Sequence, residues 1–145
     1  MTYVYAARPD GPELDRLAVV PDRLPGDAAP GAVPGDWVRV RVRAATLNHH
    51  DLWSLRGVGL PPERLPMLLG TDAAGVDDSG RDVVVHCVIP SPGYQGDETL
   101  DPKRSLLSEF YPGTLAPEVW VPASNLVPKN PGLTWEEAAA LPTAY

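Results

Sequence analysis

The residues best suited to chemistry are concentrated in one tetrad, Asn48-His49-His50-Asp51. Imidazole and carboxylate groups are zinc ligands in many proteins, which makes a metal site the first hypothesis to weigh. Adjacent histidines project in different directions, however, whereas paired metal ligands are normally about two to four residues apart so that both reach one ion. The spacing therefore disfavours metal binding by this pair of histidines.

Two further positions carry chemically useful side chains. Asp72 lies among small and apolar residues between Gly70 and Gly75, so we expect it to be partly buried and to have a hydrogen-bonding partner. A structural cap and a site residue are equally open interpretations of Asp72. His86 and Cys87 are adjacent in an apolar run, where one of them faces inward, and core packing is the favoured interpretation of that pair.

Several common kinds of site are missing from the sequence. It contains no G-x-G-x-x-G, P-loop or G-x-S-x-G motif, so any dinucleotide must be bound by a domain that this sequence lacks. Cys87 is the single cysteine, which excludes an intrachain disulfide and a zinc site of several thiolates and favours a reducing compartment. The net charge of −7 disfavours nucleic acid as a partner. The tryptophans are not interleaved with basic residues, and Trp53, which follows Asp51 closely, is the one expected at a cleft.

Short strands must position these residues. With 13 glycines and 18 prolines among 145 residues, the sequence predicts one domain of strands joined by turns. The runs Tyr3–Ala6 and Leu17–Val20 predict an edge hairpin. Residues 38–43 alternate valine with arginine and predict a half-buried strand whose arginines are solvated. Further strands are predicted over Val83–Ile89 and over Leu115–Val121, the odd-numbered residues of the latter sharing one face.

Loops and a helical turn connect these strands. Asn48 can cap a turn of helix together with Asp51, and Gly57 suits the left-handed position that ends it. The segment Gly70–Gly75 must approach its neighbours closely, because its glycines and alanines leave room for backbone. Residues 90–113 are rich in turn residues and predict a long surface loop of the kind that often serves a site.

The two ends of the sequence carry separate signals. Thr134 and Glu137 form a capping box for a helix that runs through Leu141. The uncharged run that follows stops abruptly, and we expect Tyr145 to be a truncation point. The N-terminus has no leader pattern and no apolar stretch has membrane-spanning length, so we expect a soluble, cytoplasmic protein with no membrane partner.

Four motifs together resemble the medium-chain dehydrogenase/reductase family: NHHDLW from residue 48, LGTDAAG from 69, VWVPASNLVP from 119 and EEAAALP from 136. The resemblance covers nearly the whole sequence. It implies the family's N-terminal catalytic domain over residues 1–132, a mainly β fold that forms a GroES-like, partly open barrel with short helices. Residues 133–145 would begin the helical connection to a Rossmann domain, which this sequence lacks.

The resemblance also bears on zinc. Zinc-dependent alcohol dehydrogenases of this family carry a cysteine where this sequence has Asn48, and a histidine-glutamate pair where it has Thr71 and Asp72. They also hold a structural zinc with four cysteines in the lobe that corresponds to residues 90–110, which contains none here. The resemblance is therefore to the zinc-independent, quinone oxidoreductase-like branch, and we expect no metal. The open alternative is convergence of Asp72, a histidine and Cys87.

The resemblance implies roles for the site residues. Asn48 and Thr71 would contact the cofactor and donate hydrogen bonds to the cofactor or the substrate carbonyl. Asp51 would orient the turn, while Trp53 and Asp72 would line the substrate cleft, with Trp53 excluding water. His49 would be a proton relay, although an exposed loop histidine is an equally good interpretation.

The leading functional hypothesis is a substrate-side domain of an NADPH- or NADH-dependent oxidoreductase. It would reduce a small carbonyl, enone or quinone by hydride transfer without zinc, and it would be inactive without the domain that binds most of the cofactor. Any homodimer would form largely through that absent domain. The alternative is a stand-alone GroES-like binding or scaffold module with no catalysis, and a co-chaperonin is a third, weaker option.

Overall fold

A computed structural model describes residues 2–26 and 35–144 of the chain. Three short helices occur in this part of the chain: α1 (His49–Leu55), α2 (Trp135–Ala139) and α3 (Leu141–Ala144). Ten strands occur in it: β1 (Tyr3–Ala6), β2 (Leu17–Val20), β3 (Trp37–Thr46), β4 (Met67–Leu68), β5 (Asp72–Asp77), β6 (Asp82–Val85), β7 (Val88–Ile89), β8 (Ser105–Leu106), β9 (Glu118–Pro122) and β10 (Leu126–Pro128).

The strands form one main sheet and two small ones. The main sheet is antiparallel with the order β10-β6-β5-β3-β9, and it curls around a core that includes Val40, Val85 and Val121. A three-stranded sheet has the order β2-β1-β4, and β7 pairs with β8. The predicted mainly β fold, a partly open barrel with short helices, is confirmed, as is the predicted hairpin of β1 and β2.

Strand β3 lies between β5 and β9 in the main sheet and follows its sequence pattern. Val40 is buried, whereas Arg41 and Arg43 are exposed and Arg39 forms an ion pair with Asp78. The alternation of valine and arginine therefore predicted the inner and outer faces correctly. A register shift between residues 42 and 44 bends the strand, which then leads directly into α1.

The close approach predicted for the Gly70–Gly75 segment is confirmed. Strand β5 lies beside β3, and a Cβ atom at Gly75 would overlap the carbonyl of Arg41. Gly70 has a φ of +95°, and a Cβ atom there would lie 2.7 Å from Leu115. Only glycine fits such a conformation without strain, so the chain can turn sharply into β5 at this point.

Two strands are shorter than the sequence predicts. The strand predicted over Val83–Ile89 breaks at residues 86–87 because the Asn125 side chain donates to the carbonyls of His86 and Val88, at 2.8 and 2.6 Å. The strand predicted to begin at Leu115 begins at Glu118, since the backbone N–H of Leu115 bonds Leu69 and its carbonyl bonds Val4. Tertiary partners thus override the local pattern at both places.

The segment predicted as a long surface loop is partly built into the core. Residues 90–113 contain a 3-10 turn, Glu98–Leu100, and strand β8. Leu107 is fully buried, and the buried carboxylate of Asp101 accepts hydrogen bonds from the backbone of Ser91 at 2.7 Å and of Lys103 at 2.8 Å. These contacts make the segment a structured lobe, not only a loop.

The C-terminal capping box forms as predicted. Thr134 N–H donates to Glu137 Oε2 at 2.8 Å, and Glu137 N–H donates to Thr134 Oγ1 at 3.2 Å. The helix was predicted to run through Leu141, but α2 ends at Ala139 and a separate turn, α3, starts at Leu141. Pro142 has no N–H to continue the helical ladder, which accounts for the break.

Candidate active site

One buried carboxylate links the start of α1 to the turn before β5 through hydrogen bonds. Asp51 Oδ2 accepts from the backbone N–H of Asn48 at 2.8 Å, and its Oδ1 accepts from the N–H of Gly70 at 2.8 Å. Asn48 is the N-cap of α1, and Gly57 ends the helical turn with a φ of +82°, as the sequence predicts. Asp51 therefore sets the distance between Asn48 and the residues Thr71 and Asp72, where the turn enters β5.

Asn48 joins two of the predicted site residues. Its Nδ2 donates to Thr71 Oγ1 at 3.1 Å and to Asp72 Oδ2 at 3.0 Å. Both hydrogens of that amide are thereby engaged. The side chain of Asn48 also faces the backbone N–H of Asp51 in the capping box that opens α1. Within residues 2–26 and 35–144, the hydroxyl hydrogen of Thr71 has no hydrogen-bond partner. The site therefore presents one free donor, on a side chain that is only 3% exposed.

Asp72 is fully buried and connects three parts of the chain. Besides Asn48, its carboxylate accepts the Thr143 hydroxyl at 2.7 Å and the Thr143 backbone N–H at 3.1 Å. Thr46 Oγ1 lies 3.5 Å from the same carboxylate. No ion pair of the described residues includes Asp72, so neutral donors alone satisfy it. The expectation that Asp72 is buried and has a partner is confirmed, and Thr143 is a site residue that the sequence did not single out.

The two histidines of the tetrad face different environments. His49 is exposed, and no hydrogen bond of its ring occurs among the described residues. His50 turns inward, and its Nε2 lies 3.0 Å from Oε1 of Glu109, in a pair whose side chains are 20% and 25% exposed. Neither member of this pair was a predicted site residue. The signal for His50 was its place beside Asn48, whereas Glu109 had no local signal.

Trp53 sits near the edge of this region. Its side chain is 49% exposed in this chain, and the Arg56 guanidinium lies 5.1 Å from the centre of its ring. About half of this side chain is therefore open to solvent, and its predicted role in excluding water from a cleft stays a prediction.

Cys87 is a partly buried thiol close to the site. It packs against the main core, while its neighbour His86 turns outward to Glu98, so the predicted core packing of one member of the pair is confirmed. Burial, together with the negative charges of Asp72 and Glu109, raises the pKa of Cys87 to about 11. The side chain is accordingly a neutral thiol at physiological pH and a poor nucleophile.

The groups around Asn48 do not fit a zinc ion. In the described ranges, no three histidine, cysteine, aspartate or glutamate side chains converge on one point. A zinc site needs three or four thiolate, imidazole or carboxylate ligands, whereas this cluster offers an amide, a hydroxyl and one carboxylate that already accepts three hydrogen bonds.

No helix in the described part of the chain is long and apolar enough to cross a membrane.

Comparison with known proteins identifies relatives of the chain. Residues 34–131 match the alcohol dehydrogenase GroES-like domain. Over 119 residues the chain is 33% identical to a zinc-type alcohol dehydrogenase-like protein of Schizosaccharomyces pombe, which covers 77% of this chain and 34% of that relative. The chain thus spans about a third of the length of this curated relative.

Solved structures agree with the fold. A structure of an NAD-dependent alcohol dehydrogenase superimposes with a TM-score of 0.79 at 34% identity, covering 98% of this chain and 43% of that one. The quinone oxidoreductase from Thermus thermophilus, solved with and without NADPH, superimposes with a TM-score of 0.62 at 29% identity, covering 99% of this chain and 37% of that one.

Proposed function

We propose that this chain, which belongs to the alcohol dehydrogenase GroES-like domain family, is the substrate-side half of an NAD(P)H-dependent reductase. Domains of this family are the N-terminal domains of medium-chain dehydrogenases/reductases. The proposed reductase works without zinc. Its substrate is a small carbonyl compound, enone or quinone. Residues 1–132 form the catalytic domain, and residues 133–145 lead toward a second domain that binds most of the cofactor. The chain by itself is inactive.

The observation that carries this proposal is the free hydroxyl donor of Thr71, which the Asn48 amide holds in place. Negative charge develops on a carbonyl oxygen as hydride reaches the acceptor, and a fixed donor at that oxygen stabilises the transition state. The Thr71 hydroxyl is such a donor, because the Asn48 amide occupies its oxygen and leaves its hydrogen free. Asn48 orients Thr71 and would line the cofactor side of the cleft with it.

Each neighbouring residue has a supporting role in this proposal. A bound NADPH or NADH supplies the hydride. Asp72 holds the Asn48 amide in its orientation, and Asp51 holds the backbone of Asn48 and Gly70. Trp53 excludes water from the hydride path once the second domain covers it. Preorganised hydrogen bonds thereby take the place of a Lewis acid.

The first experiment is to read the coding region past Tyr145 and to express the complete product. If the reading frame continues, the two-domain protein should oxidise NADPH or NADH in the presence of simple carbonyls, enones or quinones. If a stop codon follows at once, the chain should be joined to a relative's cofactor domain and assayed in the same way. A protein that oxidises neither cofactor with any acceptor would favour the non-catalytic binding module instead.

A matched pair of variants tests Thr71 directly. Thr71→Val removes the hydroxyl at nearly constant volume and should lower kcat by about 100-fold or more, whereas Thr71→Ser keeps the donor and should stay within a few-fold of wild type. Elemental analysis after dialysis against a chelator should find no zinc. One tightly held zinc per chain would overturn the zinc-free mechanism.

A further inference from the structure

Thr143 reaches the candidate active site from the C-terminal segment that leads toward the proposed second domain. It is an exposed residue of α3, a helix of four residues. Threonine is a weak helix former, and at an exposed position its hydroxyl can bind water at no cost to the fold. Here, however, the hydroxyl and the backbone N–H of Thr143 both donate to the carboxylate of Asp72, at 2.7 and 3.1 Å. Two bonds from one exposed residue to one buried carboxylate call for an explanation.

The backbone half of this arrangement is a helix cap supplied from a distance. The N–H groups in the first turn of a helix have no partner within the helix. Thr143 N–H is such a group in α3, and Asp72 Oδ2 accepts it. Capping therefore explains the bond from the N–H. It does not explain the bond from the hydroxyl, which goes to the other carboxylate oxygen.

The hydroxyl bond leaves one oxygen of Asp72 for the site. Among the described residues, Oδ1 accepts only from the Thr143 hydroxyl, whereas Oδ2 accepts from Asn48 Nδ2 at 3.0 Å. Asp72 is fully buried, and a buried carboxylate oxygen without a donor is costly. Thr46 is no substitute, because its hydroxyl lies 3.5 Å from Oδ2, at the limit for a hydrogen bond. Thr143 thus satisfies Oδ1 and lets Oδ2 serve Asn48.

Asn48 transmits this constraint to the reactive hydroxyl. One hydrogen of its planar amide is bound to Asp72 and the other to Thr71 Oγ1, at 3.1 Å. Without the Thr143 hydroxyl, Asp72 can satisfy Oδ1 only by rotating toward another donor, and that rotation turns Oδ2 away from Asn48. Because the amide is planar, its direction toward Thr71 changes as well. Three consecutive hydrogen bonds therefore join Thr143 to the free donor of the site.

We propose that Thr143 is a positioning residue of the reduction. This inference rests on the proposed function, in which the Thr71 hydroxyl donates to the carbonyl oxygen of the acceptor as hydride arrives. Thr143 does not touch the acceptor. It keeps Asp72 and Asn48 in the orientation that directs the Thr71 hydrogen. Residues 133–145 are then part of the active site as well as the connection to the second domain.

The kinetic test uses the active two-domain protein and a second threonine as the matched control. Thr143→Val should lower kcat by about tenfold and change KM by less than about twofold, because the acceptor still binds while its donor is misdirected. Thr143→Ser should stay within about twofold of wild type. The control is Thr134→Val, since Thr134 is also exposed, also stands at the start of a short helix and also loses one hydrogen bond, that from Glu137 N–H. Its kcat should stay within about twofold of wild type, and equal kcat values for the two valine variants would overturn the positioning role.

A double variant shows whether Thr143 acts through Thr71. In Thr71→Val the donor that Thr143 positions is already absent, so adding Thr143→Val should lower kcat by less than about a further twofold. A further loss of about tenfold would mean that Thr143 acts independently of Thr71, and it would overturn the proposal while the reductase activity of the wild type remains. A wild type with no activity would instead refute the proposed function.

An NMR test needs no turnover. Both hydrogens of the Asn48 side-chain amide are bound in the 145-residue chain, so they should exchange slowly with water. Thr143→Val should shift the two amide signals and speed their exchange, whereas Thr134→Val should leave them unchanged. Unchanged Asn48 signals in Thr143→Val would contradict the chain of hydrogen bonds, whatever the activity of the two-domain protein.

Discussion

Strand β5 has a buried aspartate at each end, and the two carboxylates accept hydrogen bonds from different parts of the chain. Asp77 accepts hydrogen bonds from the backbone and side chain of Ser79 and from the backbone and guanidinium of Arg81, all within four residues of it. Asp72, at the other end of the strand, accepts from Asn48 and from Thr143, which lies 71 positions away in sequence. Asp77 closes a local turn, whereas Asp72 holds the tertiary structure of the site together.

The partners of the two aspartates also differ in charge. Asp77 has a cation, and its pKa is lowered to about 2, chiefly by the hydrogen bond from the Ser79 side chain and also by the hydrogen bonds and charge of Arg81, against the opposing effect of burial. Asp72 has only neutral donors and is fully buried, so no cation or water compensates for the loss of a donor among the described residues. Loss of one partner should therefore disturb the Asp72 end far more than the Asp77 end.

The largest effect should come from removing the Asp72 carboxylate. Asp72→Ala leaves the Asn48 amide and the Thr143 hydroxyl without an acceptor in a fully buried position. The free energy of unfolding should fall by about 3 kcal/mol, measured by urea denaturation. The control is Asp78→Ala, at an exposed residue that binds Arg39, and it should cost less than about 1 kcal/mol. Equal losses in the two variants would show that Asp72 is not the connecting residue inferred above.

A smaller effect should follow from weakening the C-terminal contact alone. Thr143→Val removes the hydroxyl that donates to Asp72 at 2.7 Å but keeps the backbone N–H bond and the branched shape. We expect a loss of about 1 kcal/mol in urea denaturation, and Thr143→Ser should retain most of the stability. If the serine variant were as unstable as the valine variant, lost packing and not the hydrogen bond would be the cause.

At the Asp77 end the expected effect is a change in acid sensitivity. Because the folded-state pKa of Asp77 is about 2 and lies below its ordinary value near 4, ionised Asp77 stabilises the fold fully above about pH 4. That contribution is lost as the pH falls toward about 2. Wild type should therefore be more stable than Asp77→Asn at about pH 6, and the difference should shrink to near zero at about pH 2. Urea denaturation of both proteins across this range measures it, and a difference that is independent of pH would contradict the prediction.

The same contrast explains what the sequence could predict. The Thr134 capping box, the cap at Asn48 with Asp51, and the alternation in β3 are set by residues within one turn or one strand, and each was predicted correctly. The partners of Asp72 and His50 lie up to 71 and 59 positions away, and no local pattern encodes such pairs. The break at His86 has the same origin, since Asn125 causes it from 39 positions downstream.

The smallest effect should come from Ser79→Ala, which tests whether the Asp77 turn is as self-contained as its geometry indicates. The Ser79 hydroxyl donates to Asp77 at 2.7 Å and is the main cause of the lowered pKa of that carboxyl group. Its removal should raise the pKa of Asp77 from about 2 toward the ordinary value, as followed by NMR of the carboxyl carbon, because Arg81 alone remains as the side-chain partner. Global stability at neutral pH should change little, since the backbone N–H groups of Ser79 and Arg81 still occupy the carboxylate. A shift in the signals of Asn48 or Thr143 would show instead that the two ends of β5 are coupled through the strand, and the local character assigned to Asp77 would then be wrong.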